Sequence, residues 1–336
     1  MRRRIIGPVS LSLQEYVIPR SKRVMRVYIF GDMHISDAHC PTKSIKKRAV
    51  NIGTFLGNLF NECRAGPVDF YLEIDLAIDP VTKTLEEHPR ETQLFGNSNF
   101  LNDLWYTDFK SKCLRIHKID IRSGICRILN SLANIFEKTM LLLKMIDKYR
   151  DDDHNDIFES QIYFKATVLK RIIERFNFEH IQDVESICSQ CRITKQLDKL
   201  FSFRSFAPKI VKYFGKKIRA ISLDIDDVLE AFSDVLHKDS YWTLDEFAMK
   251  LMMILVFYMD MYTLGRMLKN PVSRKSGRRL PVGKNVIVYA GEGHAENYRA
   301  FLNKMGFKLV KSSTFINYDI DFQCLDISMF RRPFFE

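Results

Sequence analysis

Two stretches of this 336-residue chain place acids and imidazoles where a strand would end. "RVYIFGDMHIS" runs apolar to Gly31 and then presents Asp32 and His34. "NVIVYAGEGHAEN" runs apolar to Gly291 and then presents Glu292 and His294. Between them, "DFYLEIDL" carries Glu73 and Asp75, and "KCLRIHKIDIR" reaches Asp120 and Arg122. Two imidazoles and a carboxylate suit an open site for a divalent transition metal: neutral histidine nitrogen binds Mn, Co, Fe or Zn, and a carboxylate adds charge. A metal with a vacant position lowers the pKa of its bound water and so makes a nucleophile for hydrolysis. The expected metal ligands are His34, Glu73 and His294. The expected catalytic groups around them are Asp32, Asp75, Glu292, Asp120 and Arg122. Without a metal, the same set would give a histidine general base flanked by carboxylates.

These residues must be held by something. "VMRVYIF" (24–30), "GPVDFYLEIDL" (66–76) and "KCLRIHKIDIR" (112–122) read as short strands, β-branched or alternating, and the first is stopped by glycine. Residues 45–60 have helical spacing, 79–98 read as a polar loop with two prolines, and 100–109 as a short helix. From about 125 to 270 a period near 3.6 dominates, with few glycines or prolines. A strand at 285–291 follows, then a helix ending at a glycine cap, then "KLVKSS" as a further short strand.

The expected fold is therefore α/β: a mostly parallel sheet flanked by helices, with a large all-α insertion between the third strand and the C-terminal strands. The expected divisions are an N-terminal arm (1–22), the first part of the α/β core (23–124), the helical insertion (125–270), a basic loop (271–284), the second part of the core (285–320) and a C-terminal tail (321–336). In open sheets of this kind, functional groups collect at the C-terminal ends of the strands. All the acid and histidine clusters above fall at such ends.

Bulk composition narrows the class. The net charge is +11, from 52 Lys and Arg against 41 Asp and Glu. That balance permits contact with a polyanion or an acidic partner, but no zinc-finger or RNA-binding motif accompanies it. Seven scattered cysteines, an odd count, argue against a disulfide framework and for a reducing compartment. Cys188-x-x-Cys191 has no second pair at zinc-ribbon spacing. The first residues lack an apolar signal core. The most apolar run, 251–259, is nine residues long and closed by Lys250 and Asp260, so it reads as a buried helix. The expected setting is soluble and intracellular (cytoplasmic), or a virion if the chain is viral.

"FGDMHIS", "YLEID" and "YAGEGHAENY" together resemble the paired Gly-x-x-His motifs and intervening Glu-x-Asp of the Tiki/TraB group. That group belongs to a wider superfamily with the erythromycin esterase-like and ChaN haem-binding proteins. Gly31 and His34 match the first motif, Glu73 and Asp75 the middle one, and Gly291, Gly293 and His294 the last. The resemblance implies a mixed α/β core with inserted helices and a metal-dependent hydrolase acting on peptides or esters through metal-activated water. The pattern also resembles uncharacterised proteins of large DNA viruses. That likeness implies a structural alternative, a catalytically inactive virion or minor capsid component. Independently, the basic arm and the aromatic tail "MFRRPFFE" suit docking on protein partners, because arginine and aromatic residues are enriched at interface cores. A third reading comes from "AISLDIDDVLEAF", where Asp224 and Asp226 imitate the nucleophile loop of haloacid-dehalogenase-like phosphatases. Helical spacing after Asp224 instead makes these acids a helix start. There is no P-loop, no Gly-x-Gly-x-x-Gly after a strand and no serine nucleophile elbow.

Overall fold

The structure is a computed structural model. It describes residues 3–18, 23–33, 39–40, 49–61, 68–75, 114–120, 126–149, 156–190, 206–268, 285–315, 323–330 and 334. His34, Arg122, the expected loop at 79–98, the expected helix at 100–109 and the basic loop at 271–284 lie outside these residues. The protein is a mixed α/β chain that divides into two compact units: residues 1–120, 200–203 and 266–336 form one, and residues 121–199 and 204–265 form the other.

The first unit is built on a six-stranded sheet. Its strands are β2 (Pro8–Val17), β3 (Val24–Asp32), β5 (Val68–Asp75), β6 (Leu114–Asp120), β7 (Asn285–Gly291) and β8 (Lys308–Thr314), in the order β6-β5-β7-β3-β2-β8. The sheet is mixed. β6, β5, β7 and β3 run parallel, and β2 and β8 add antiparallel contacts at the other end. Asp32 at the end of β3 pairs in register with Gly291 at the end of β7, so the two motif glycines and acids reach the same edge. β8 closes that end as an exposed edge strand carrying Lys308 and Lys311, a charge pattern that discourages pairing with another chain.

Alternation along the strands gives the sheet two different faces. Leu11, Leu13, Tyr28, Phe30, Phe70, Ile287 and Tyr289 point to one face, where they meet Ile52, Phe55, Leu56 and Phe60 of helix α1 (Ile52–Asn61). Asn51 caps that helix by accepting the Gly53 N–H at 2.8 Å. The other face carries Met25, Val27, Ile29, Val286 and Val288, together with polar Ser10, Ser12, Gln14, Asp69 and Glu73. Helix α8 (Glu292–Lys304) packs there against β2, β3 and β7. As its sequence predicts, α8 ends at a glycine: Gly306 adopts φ +91°, and the Phe307 N–H closes on the Leu302 carbonyl at 3.0 Å.

Two expectations about the chain ends are corrected. The described part of the expected N-terminal arm (1–22), residues 3–18, is built into the fold. They contain β1 (Arg4–Ile6) and β2, joined by Gly7 at φ +124°, and Leu11 is wholly buried. Proline is tolerated at the first residue of a strand, as Pro8 is here, and "VSLSLQ" has the period-two pattern of a half-polar one. The tail likewise closes the core. Phe330 and Phe334 are buried, Phe334 packs on Phe55 and Tyr28, and the Tyr28 hydroxyl donates to the Phe334 carbonyl.

The cysteine expectation also fails. Cys40 and Cys324 form a disulfide across 284 residues of sequence. It lies beside a small second sheet in which β1 pairs with β4 (Ala49–Asn51) and with β9 (Cys324–Asp326). An odd cysteine count cannot exclude a single bridge, so that count no longer speaks for a reducing compartment.

In the second unit every described regular element is helical: α2 (Arg127–Tyr149), α3 (Asp156–Arg175), a short 3-10 turn (Phe178–Gln182), α4 (Val184–Gln190), α5 (Phe206–Arg219), α6 (Ile225–Ala231) and most of α7 (Lys238–Met267). Cys188 is buried in α4, and burial is the main reason its thiol is pushed up to about 12, with smaller contributions from Glu185 and Cys126. It packs rather than reacts. Asp224 follows no strand and caps α6, accepting the Asp227 N–H at 3.3 Å. The phosphatase-like nucleophile loop is therefore not formed. The basic run at 216–219 completes α5, where lysine and arginine complement the helix dipole and Lys217 lies 5.0 Å from the centre of the Phe257 ring. Among the described helices, α7 alone is long and apolar enough to cross a bilayer, and 72% of its apolar window is buried inside the protein.

Breaking the disulfide should be costly, because it closes a very long loop in the unfolded chain. Cys40→Ala is expected to lower the unfolding free energy by about 2–4 kcal/mol in denaturant titrations, and reductant should have the same effect on the native chain. A variant as stable as the native protein would show that the bridge carries no constraint.

Candidate functional site

The edge where β5, β7 and β3 end gathers part of the expected set. Glu73 sits near the end of β5 and is buried. Its Oε2 accepts the Gly291 N–H at 2.6 Å, which fixes the carboxylate at the first turn of α8. Its Oε1 lies 3.5 Å from His294 Nε2. His294 is also buried, and its ring is nearly parallel to that of Tyr298, with centres 6.2 Å apart. A carboxylate from the first half of the chain and an imidazole from its end thus meet in the protein interior, where their interaction is screened less than in water.

Glu292 belongs to the same face but is already engaged. It opens α8, and its Oε1 pairs with Arg299 two turns later on the same helix. The Ser10 hydroxyl donates to Glu292 Oε2, and Arg299 Nη1 donates to Ser10 Oγ at 2.9 Å. This clamp explains Gly31. A Cβ at position 31 would overlap the Glu292 carboxylate and press on Ser10 Oγ. The first glycine of the motif is thus required by the acid of the second.

Asp32 lies elsewhere. Alternation sends it to the face opposite Glu73, where the Tyr289 hydroxyl donates to its Oδ2 at 2.6 Å. The Gln323 amide, turned to satisfy its neighbours, donates to Asp32 Oδ1 at 3.2 Å. Burial first, then the Asp32 charge and hydrogen bond, holds the Tyr289 phenol well above the ordinary tyrosine range. Asp75 and Asp120 pair in register at the ends of β5 and β6, but their side chains are outside the described residues, as are His34 and Arg122. Among the described residues, no three His, Cys, Asp or Glu side chains group closely enough to hold a metal.

A second polar cluster on the same face as Glu73 had no place in the expected site. Arg115 grips Asp69 through two hydrogen bonds of 2.7 and 2.6 Å. His117 Nε2 lies 2.8 Å from Asp69 Oδ1, while Arg266 Nη2 reaches His117 Nδ1 at 3.5 Å. Arginine can only donate, so a hydrogen bond from Arg266 assigns Nδ1 as the acceptor and leaves Nε2 to donate to Asp69. Tyr71 stacks on His117 at 4.5 Å and donates to the Arg266 carbonyl at 3.1 Å. The signal was present as alternation: Asp69 pairs with Arg115 and Tyr71 with His117 in register on adjacent strands. Ser10 and Arg299 gave no comparable sign, because each matters only through the close approach of α8 to β2.

Comparison of the chain with protein-family models, curated proteins and solved structures returns no match.

Two outcomes test this geometry. Gly31→Ala should destabilise the protein by about 2 kcal/mol or more in denaturant titrations, the cost of forced overpacking. Adding Glu292→Ala should cost less than the sum of the two single changes, because the overlapping carboxylate has gone. Strict additivity would show that Glu292 does not occupy that space. The Tyr289 phenol, raised in the folded chain, makes stability intact below the unfolded value near 10. Stability should then fall as pH rises above it, since only the unfolded chain ionises readily. Tyr289→Phe should flatten that alkaline fall.

Proposed function

We propose that the chain is a hydrolase of the Tiki/TraB-like kind, with its site at the C-terminal edge of β5, β7 and β3. Glu73 and His294 would hold a divalent transition metal (Mn, Co, Fe or Zn), with His34 as the third ligand. The observation that carries this proposal is the convergence of Glu73 Oε1 and His294 Nε2 to 3.5 Å, both buried. One nitrogen and one oxygen donor of this kind suit such an ion. Sequence places His34 two residues beyond Asp32, whose strand neighbours the one that leads into α8. The metal, when bound, would supply an acidified water for attack on a peptide or ester.

The chain's own residues prepare the place. The Gly291 N–H occupies one oxygen of Glu73 and leaves the other turned to His294. Glu292, Arg299 and Ser10 fix the first turn of α8 and with it the imidazole, so Glu292 positions rather than reacts. Asp32 supports the edge from the opposite face through Tyr289. In the same proposal, the parallel strands are the family's core and the helical unit is an insertion within it.

A second reading is a structural or interaction protein, such as a virion component of a large DNA virus. It is favoured by the way the carboxylates of Asp69 and Glu292 are already matched by Arg115 and Arg299. Its docking elements would not be the chain ends, whose β2, Phe330 and Phe334 are built into the core.

Elemental analysis after exposure to Mn, Co and Zn separates the two. The native protein should retain about one metal per chain. Glu73→Gln and His294→Ala should each lower metal affinity by at least about tenfold. No retained metal in the native protein, with Glu73→Gln and His294→Ala as stable as the parent, would remove the hydrolase proposal.

A further inference from the structure

Helices α3 and α7 each turn an apolar stripe to solvent. On α3, Ile157 and Phe164 are 68% and 70% exposed, and Val168 joins them at 37%. Their spacing of seven and four residues puts them on one line, opposite the buried Ile162, Ala166, Leu169 and Ile173. Exposed Arg171 and Arg175 continue that line to the end of the helix, and no acidic residue lies on it.

On α7 the line runs through Trp242, Met249 and Met253, which are 57%, 46% and 43% exposed. It has the same seven-and-four spacing. Its remaining members are exposed Asp239 and Glu246, so the steps from 239 to 253 are three, four, three and four residues. Lys250 pairs with Glu246 at 2.7 Å from the flank, and His237 lies 3.7 Å from Asp239. Alternation of three and four is the pattern of a helix seam that expects another helix.

The two stripes are complementary in kind. One is apolar at its start and cationic at its end. The other is anionic at its start and apolar beyond. Laid antiparallel, they would set Arg171 and Arg175 against Asp239 and Glu246, and Phe164 and Ile157 against Met249 and Met253. A parallel arrangement would set the arginines against methionine. Exposed aromatic and methionine side chains in line are also the composition of an interface core.

We propose that the chain associates with a second copy of itself, α3 of one copy packing antiparallel on α7 of the other. The contact joins two different surfaces, so each copy offers one of each.

Analytical ultracentrifugation of the full chain tests this. The native protein should self-associate with rising concentration. Phe164→Asp and Trp242→Asp each remove the anchor from one stripe and should weaken association by about tenfold or more. The decisive measurement is the mixture. Phe164→Asp keeps a sound α7 stripe and Trp242→Asp a sound α3 stripe, so the two together should regain a 1:1 complex that neither forms alone. Arg171→Glu with Arg175→Glu should weaken the native contact, and Asp239→Arg with Glu246→Arg on the other copy should restore it. Circular dichroism establishes that each variant is folded. A native protein that stays monomeric at about 100 μM, variants that associate like the parent, or a mixture that stays monomeric would overturn the proposal. So would a monomer that binds neutral or anionic vesicles through the same stripes.

Discussion

The Glu292 carboxylate occupies the space that a side chain at position 31 would fill, and much of the first unit follows from that contact. β3 and β7 are parallel neighbours in register, so Gly31 lies beside Ala290 and just below the start of α8. Without a Cβ there, the carboxylate can settle over β3 and reach Ser10 on β2. Arg299 then completes the clamp from two turns along the helix. One glycine thereby lets helix α8 lie close to three strands. The first turn of α8 is fixed as a consequence, and that turn carries both the N–H bonded to Glu73 and the imidazole facing it.

A buried charge is tolerated only when it is paired and hydrogen-bonded. That requirement orders the polar face of the sheet. Asp69 is balanced by Arg115 and bridged to His117, Glu292 is balanced by Arg299, and Glu73 is met by a backbone N–H. The three acids differ in what remains of them. Asp69 and Glu292 have arginine partners that neutralise them where they stand. Glu73 accepts a neutral backbone N–H on one oxygen and faces the His294 ring with the other. The approach to an imidazole from the far end of the chain sets Glu73 apart from the other two.

The alternation of the strands was legible in the sequence, and so was the ending of β3 and β7 at glycine. The sequence alone therefore brings Glu73 and His294 to one sheet edge. What sequence could not reveal was which side of the sheet each neighbour of the glycines would take. Asp32 and Glu292 follow their glycines in the same way, yet Asp32 is still in a strand and alternates to the far face, while Glu292 begins a helix and folds back over the near one. The arm failed for a related reason. "VSLSLQ" alternates serine with leucine and reads as weakly polar, but a strand covered by a helix can bury serine and glutamine when they find partners, as Ser10 and Gln14 do with Arg299. The Cys40–Cys324 bridge was out of reach because pairing depends on two segments 284 residues apart meeting beside a sheet that neither one announces.

The two units also use apolar residues differently, and the difference bears on function. In the first, the exposed large apolar side chains include Val17, Met33, Leu309 and Val310, which sit at strand ends and on the edge strand. Such scattered exposure is ordinary for a folded surface. In the second, three such residues fall on one line of α3 and three on one line of α7. Helix stability did not require this, since both helices already bury a full opposite face in the core of their own unit. In the proposed association these residues would find their contact outside the fold. The sheet edge that gathers Glu73 and His294 and the stripes on α3 and α7 belong to different units of the chain. The proposed chemistry at the one and the proposed association at the other would therefore place separate demands on the sequence, and either can be tested by substitution while the other is measured.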